Sequence, residues 1–241
     1  MKGLFNVAGH SKWSKIKRDK GVNDAKRGAV FTRIGNMIAI AAKAGTDPTM
    51  NPSLAMAIEK AKQANMPKDN IQRSIDRAAD KNAAVLEEIT YEGYGPAGVG
   101  IIIETATDNR NRTLPEVKTA LTKNGGTMAD AGSVMFQFTR KGVIRVKATG
   151  EDALLAVLDA GAEDAIEDDG ELVVYTDMKD LHAVRQGIAD FGLEIIDAEL
   201  SYVPNNEVPI DDPEAEAKLM KILEAIEDVD DVTNVHTNAA S

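Results

Sequence analysis

Residues 142–177 read "GVIRVKATGEDALLAVLDAGAEDAIEDDGELVVYTD". "GVIRVKA" (142–148) is a short β-branched run, which predicts a strand. Residues 151–160 follow as a helix that Gly161 ends. Residues 162–177 predict a hairpin turning near Asp169-Gly170. Downstream, residues 179–191 predict a helix with Leu181, Val184, Ile188 and Phe191 on its apolar face. "LEIIDAELSYV" (193–203) is a last strand. The order β-α-β-β-α-β is ferredoxin-like.

Outside this unit the pattern continues in two directions. Upstream, "VGIIIETAT" (99–107) is a buried-strand run. Thr113 and Glu116 predict a capping box for a helix that stops at Asn124-Gly125-Gly126. "SVMFQFT" (133–139) alternates like a strand. Downstream, Pro213 opens a helix with Leu219, Ile222, Leu223 and Ile226 on one face, and "DVTNVHT" (231–237) predicts a strand. The ferredoxin-like unit, 141–200, is therefore expected to be inserted into a second α+β unit made of 83–140 and 201–241.

Residues 1–82 read as helical. Ser11 can cap a short helix with Trp13 and Ile16 one turn apart. Asp24 can cap a longer one, in which Val30, Phe31, Ile34, Met37, Ile38 and Ala41 recur at helical spacing until Gly45. Asn51-Pro52 is a cap followed by a first-turn Pro. Leu54, Ala57, Ile58 and Ala61 line the next helix. Pro67 opens another, with Ile71, Ile75 and Ala78. The fold class expected is α+β: an N-terminal domain of three to four helices plus two ferredoxin-like α+β domains, one inserted in the other.

Composition narrows the chemistry. Hydrophobic residues make up 43% of the 241 residues and charged residues 28%, as in ordinary soluble proteins. Cys is absent, which excludes disulfides, thiol nucleophiles and thiolate metal sites. No apolar run approaches the ~20 residues that span a bilayer, and the N-terminus lacks a signal-peptide core. A cytoplasmic location without membrane attachment is expected. The three histidines, His10, His182 and His236, are far apart in sequence. No nucleotide loop, nucleophile elbow or zinc-protease motif occurs. The reading is of a non-enzyme with no cofactor and no metal.

Charge is the strongest functional signal. The chain carries a net charge of -11, yet residues 1–82 hold 16 Lys+Arg against 7 Asp+Glu, a balance of +9. The remainder stands at -20. Residues 10–28, "HSKWSKIKRDKGVNDAKRG", concentrate Lys12, Lys15, Lys17, Arg18, Lys20, Lys26 and Arg27. Such a cluster in an acidic chain points to a polyanion. Trp13 either stacks on an exposed base or anchors the helical core against Ile16. Arg33 lies further along the chain.

Other motifs carry two readings each. "TDNRNRT" (107–113) precedes a helix, so Arg110 and Arg112 could hold a phosphate at its N-terminus, or they could shape the turn and pair with acids. "YEGYGPAGVG" (91–100) matches G-x-G-x-x-G in form only, because a strand rather than a helix follows. It reads as a Gly-rich connection, with Tyr91 and Tyr94 lining a surface. Lys68 in "NMPK" (65–68) either extends the basic surface or follows a purely structural break. The acidic runs 163–171 and 211–216 read as solvated faces.

Several of these strings, "AGHSKW" (8–13), "DAKRG" (24–28), "NMPK", "YEGYGP" (91–96), "TDNRNRT", "KNGG" (123–126) and "GSV" (132–134), together resemble the YebC family, which includes the mitochondrial translational activator of cytochrome c oxidase subunit I. The resemblance implies an N-terminal helical domain and two α+β domains around a cleft. It implies nucleic-acid work without a cofactor, either as a DNA-binding transcriptional regulator or as a ribosome-associated translation factor that relieves stalling. Two positions depart. Val7 sits where the family has its initiator Met, so translation is expected to start there, at a GTG codon, without residues 1–6. Ala97 stands where Gly is frequent.

The reading is a nucleic-acid-binding regulator of gene expression. Its main phosphate contacts are expected from Lys12, Lys15, Lys17, Arg18, Lys20, Lys26, Arg27 and Arg33, with Arg110 and Arg112 second. Ribosomal RNA is favoured, since no recognition helix and no dimer seam are legible, and a monomer is expected. DNA is the alternative. A scaffold whose acidic cleft captures a basic protein is the alternative of another class.

Overall fold

The computed structural model describes residues 27–80 and 83–240. Among the described residues three helices come first: α1 (Arg27–Ala42), α2 (Pro52–Gln63) and α3 (Lys68–Ala79). Asn51 caps α2 by accepting the Leu54 amide at 3.2 Å, with Pro52 in the first turn. The predicted apolar spacing becomes one shared core, in which Ile34 and Ile38 of α1 meet Leu54, Ala57, Ala61, Ile71 and Ile75. Gly35 allows α1 and α3 to touch, since a Cβ there would stand 3.0 Å from Ser74 Oγ.

Two four-stranded antiparallel sheets follow, so the fold is α+β. The first contains β1 (Glu87–Tyr94), β2 (Gly100–Thr107), β3 (Thr127–Ala129) and β8 (Val232–Thr237), in the order β3-β1-β2-β8. Its helices are α4 (Arg110–Lys123) and α7 (Pro213–Glu227). Ile101 and Ile103 of β2 bury against Val117 and Leu121 of α4 and Leu219, Ile222 and Leu223 of α7. Ile102 points the other way, to Val134 and Phe138. Burial on both faces explains why Ile101, Ile102 and Ile103 of β2 form a continuous apolar run rather than an alternating one.

The second sheet lies between β3 and β8 in sequence. It contains β4 (Phe138–Val146), β5 (Asp164–Asp168), β6 (Glu171–Thr176) and β7 (Ile195–Pro204), in the order β5-β6-β4-β7. With α5 (Glu151–Asp159) and α6 (Leu181–Asp190) interposed, this is the ferredoxin-like order. Asp169 and Gly170 both take positive φ, 52° and 79°, as a two-residue hairpin turn of the primed type requires. Ile144, Val146, Leu172 and Val174 pack against Val157, Leu181, Val184 and Ile188. Each such fully buried aliphatic side chain contributes roughly 1.5–3 kcal/mol.

Three local expectations need correction. The helix after β2 starts four residues earlier than a Thr113 cap would allow. Asn109 is its cap, accepting the Arg112 amide at 3.2 Å, and Thr113 is buried inside the helix with its hydroxyl turned to Asp231. Residues 133–139 are not one strand, because Met135–Gln137 form a 3-10 turn and pairing begins at Phe138. The amides of Val134 and Met135 bond a side chain, Glu92, instead of a neighbouring strand. Finally, the Gly-rich connection starts later than read. Tyr91–Tyr94 belong to β1, Tyr91 is buried, and the turn is confined to Pro96–Gly98.

Ala97 in that turn has φ 56° and ψ 16°, the left-handed region that L side chains avoid. Ala97→Gly is therefore expected to stabilise the protein by about 0.5–1 kcal/mol, less than the full strain because Gly also loosens the unfolded chain. Urea midpoints of the two proteins check this, and a lower midpoint for the variant would refute it.

Candidate nucleic-acid interface

Lys12, Trp13, Lys15, Lys17, Arg18, Lys20 and Lys26 lie outside the described residues, as do the caps Ser11 and Asp24. Arg27 is the first residue of α1, and only its backbone is described. The chain leaves the basic segment through α1, and α1 is tied to the first sheet and its helices. Arg33 Nη2 donates to the Glu227 carbonyl at the C-terminus of α7, where the helix dipole is negative. Lys43 Nζ donates to the Leu86 carbonyl. Asn36 reaches the Ala106 carbonyl at 3.4 Å and accepts from Arg77 at 3.2 Å. Arg77 also stands 3.5 Å from Asp108.

The same helices reach the second sheet. Lys60 pairs with Glu199 of β7, Arg185 of α6 pairs with Glu59, and Gln63 donates to the Ile196 carbonyl at 3.1 Å. Burial works against the Lys60 charge, but Glu199 and Asp197 outweigh it and hold its pKa above the usual lysine range. Burial and the Glu199 charge push the Asp197 carboxyl up, while Lys60 pulls the other way.

Arg110 and Arg112 sit in the first turn of α4, both exposed. Arg112 faces Asp231, with Nη2 2.9 and 2.8 Å from the two carboxylate oxygens, and also meets Asp108 at 3.2 Å. Asp231 is buried and takes the Thr113 hydroxyl at 2.6 Å. Thr107 Oγ1 lies 3.1 Å from Asp231 and accepts the Asn109 amide at 2.9 Å. An anion at Arg112 would compete with this carboxylate. Arg110 lies beside the Tyr91 hydroxyl, whose pKa burial pushes up and Arg110 draws down.

Lys68 is exposed at the start of α3. One and two turns on, Arg73 and Arg77 share a wall of an open groove of about 370 Å³ between α1 and α3. Sequence reading missed both. The signal was present, since Arg73 and Arg77 stand four apart and off the Ile71/Ile75 stripe.

The two sheets meet at a polar joint. His236 of β8 places Nε2 2.9 Å from Glu104 of β2 and Nδ1 3.2 Å from Ser201 Oγ of β7. A proton on Nε2 serves Glu104 and leaves Nδ1 to accept from Ser201. Tyr202 packs edge-on to His236 with ring centres 5.4 Å apart, and the Arg140 guanidinium lies over the Tyr202 ring. Arg140 approaches Glu104 at 3.5 Å and Asn234 donates to it at 3.2 Å.

Burial acts to raise the Glu104 pKa, but His236, Arg140 and Asn234 together hold it below the usual carboxylate range. A depressed folded pKa means stability that is present above the ordinary Glu value, near 4.3, and is lost as pH falls through the folded one. Glu104→Gln is therefore expected to lower stability at pH 7, with the gap to the native protein closing below about pH 4. Denaturant midpoints across that range measure it. A gap independent of pH would refute it.

The acidic runs form local structure. Glu163 pairs with Lys141 at 2.9 Å, Glu171 with Arg145, and Asp212 caps α7 by accepting the Glu214 amide at 3.0 Å. Among the described residues no group of three or more His, Asp or Glu side chains is placed to hold a metal, and no helix is long and apolar enough to cross a membrane.

Residues 11–81 match the family model described as the TACO1/YebC protein N-terminal domain, and residues 86–239 match that of the TACO1/YebC second and third domain. A protein of Thermobifida fusca named "probable transcriptional regulatory protein" is 49% identical, covering 97% of this chain and 96% of its own. One of the same description from Frankia casuarinae is 47% identical over 97% and 95%. The crystal structure of a conserved hypothetical protein from Aquifex aeolicus superposes with a TM-score of 0.82 at 39% identity, covering 90% of this chain and 91% of that one. By its matched domains and its full-length relatives, the chain belongs to the TACO1/YebC family.

Proposed function

We propose that this protein is a non-enzymatic, nucleic-acid-binding regulator of gene expression that works on ribosomal RNA as a translation factor. The observation that carries the reading is the charge segregation, +9 in residues 1–82 against -20 in the rest. Lys and Arg neutralise phosphates and release counterions, which gives salt-dependent affinity with little sequence preference. The acidic remainder repels the same polyanion, so contact is oriented through the helical end. The reading keeps Lys12, Lys15, Lys17, Arg18, Lys20, Lys26 and Arg27 as the main contacts, with Trp13, Arg33, Lys68, Arg110 and Arg112 around them. It also divides the chain into 1–82, 83–140 with 201–241, and 141–200.

The second reading, a DNA-binding transcriptional regulator, is favoured by the names of the relatives. Sedimentation of native lysate through sucrose separates the two. Co-migration with ribosomal particles, insensitive to DNase and lost at high salt, is expected. DNase-sensitive fast sedimentation away from ribosomes would install the DNA reading. Charge reversal of Lys15, Lys17 and Arg18 to Glu is expected to weaken nucleic-acid binding by at least about a hundredfold near physiological salt. Electrophoretic mobility shift checks it, and retained binding would remove the basic segment from the interface.

A further inference from the structure

We infer that the groove between α1 and α3 holds one unpaired nucleotide of the bound strand, its base against Phe31 and Met66 and its phosphate on Arg73 and Arg77. The inference rests on the nucleic-acid reading above and adds a site to it. The groove, about 370 Å³ and open to solvent, is near the lower end of small-ligand sites, which suits one nucleotide rather than a duplex. Gly35 keeps its floor clear, because no side chain rises between Ser74 and Met66 there.

Its lining divides by chemistry. Phe31 and Met66 supply an aromatic and a polarisable apolar surface, both packed on the helical core and so held in place. Any nucleobase has a π-face to set against them. Asn70 and Ser74 supply hydrogen-bonding groups suited to a base edge or a ribose. Arg73 and Arg77 stand four residues apart on one helix. Arg73 is exposed, and among the described residues its hydrogen bonds go to neutral acceptors, Asn70 Oδ1 and the Asp69 carbonyl, rather than to a carboxylate. Arg77 is partly compensated by Asp108 at 3.5 Å. Among the described residues no Asp or Glu lines the groove. A basic, carboxylate-free wall facing an aromatic floor is complementary to a nucleotide. It does not suit an apolar helix, which would need a longer stripe than Phe31 and Met66 provide.

Phe31 and Thr32 of the groove lie in the first turns of α1, a few residues after the basic segment in sequence.

The test uses the full chain and a short single-stranded RNA carrying 4-thiouridine. Phe31→Leu keeps aliphatic packing and removes the stacking face. It is expected to weaken single-strand binding about tenfold and to leave duplex RNA binding unchanged. Arg73→Gln, on an exposed residue, is expected to reduce the salt slope of single-strand binding by about 0.7. Irradiation should place the adduct on the peptide containing Phe31 or on that containing Met66. Binding changed by less than about twofold, with adducts only elsewhere, overturns the groove while the charge-reversal result still upholds nucleic-acid binding. Failure of the native chain to bind any RNA or DNA would overturn both.

Discussion

Replacing Asp231 by Ala is expected to cost about 3 kcal/mol of folding stability. The carboxylate is 6% exposed and stands where β8 begins, beside the end of β2 and the first turn of α4. It takes the Thr113 hydroxyl at 2.6 Å and the Arg112 guanidinium on both oxygens. Its own backbone carbonyl accepts the Ala106 amide at 2.8 Å. Removing the acceptor takes from the buried Thr107 and Thr113 hydroxyls their shared ionised partner, leaving Thr113 the Asn109 carbonyl at 3.1 Å. Breaking a buried charged network from one side typically costs ~3–5 kcal/mol. The lower end applies here, because the Arg112 side chain is 46% exposed and can return to water. For the same reason Arg112→Ala should cost only ~0.5–1 kcal/mol. Urea unfolding of both variants measures the contrast. Equal losses would mean that the exposed ion pair, not the buried acceptor, holds the corner.

Glu92→Gln is expected to destabilise the protein by about 2–4 kcal/mol and to release the turn at residues 132–137. Glu92 is 3% exposed, and its two oxygens accept three backbone amides: Gly132 at 2.5 Å, Val134 at 2.6 Å and Met135 at 2.8 Å. Each hydrogen bond to an ionised group contributes roughly 1.5–3 kcal/mol. Gln has one acceptor oxygen, and its NH₂ would face an amide donor. Tyr94 supports the same turn through the Ser133 carbonyl at 2.7 Å, and Asn205 through the Phe136 carbonyl at 3.2 Å. The variant should therefore lose amide-exchange protection at Val134 and Met135 before the sheets open. Unchanged protection there would show that Tyr94 and Asn205 suffice.

Much of the fold was legible because it follows from short-range physics. The Asn51-Pro52 cap, the Asp169-Gly170 turn and the Leu219, Ile222, Leu223 and Ile226 stripe each depend on residues within about one or two helical turns. The ferredoxin-like order followed from reading those elements in sequence. What failed was local as well, but decided from afar. Residues 133–139 look like a strand until Glu92, in another strand, takes their amides. β1 was hidden because its Glu and Gly residues disguise a strand whose Tyr91, Glu92 and Gly93 are buried.

The candidate site divides in the same way. That residues 1–82 are basic, that the rest is acidic and that the chain is of YebC type could be read without coordinates, because charge and motif strings are local. What individual cations do depends on the packed fold. Arg112 meets Asp231, 119 residues away, and Arg33 meets the Glu227 carbonyl, 194 residues away. Arg73 and Arg77 were brought instead to a groove opposite Phe31. The reason is physical. A charged side chain has no preferred partner along the chain beyond the next helical turn. Which acid neutralises it, and whether it stays available to a phosphate, is set when the sheets and helices pack.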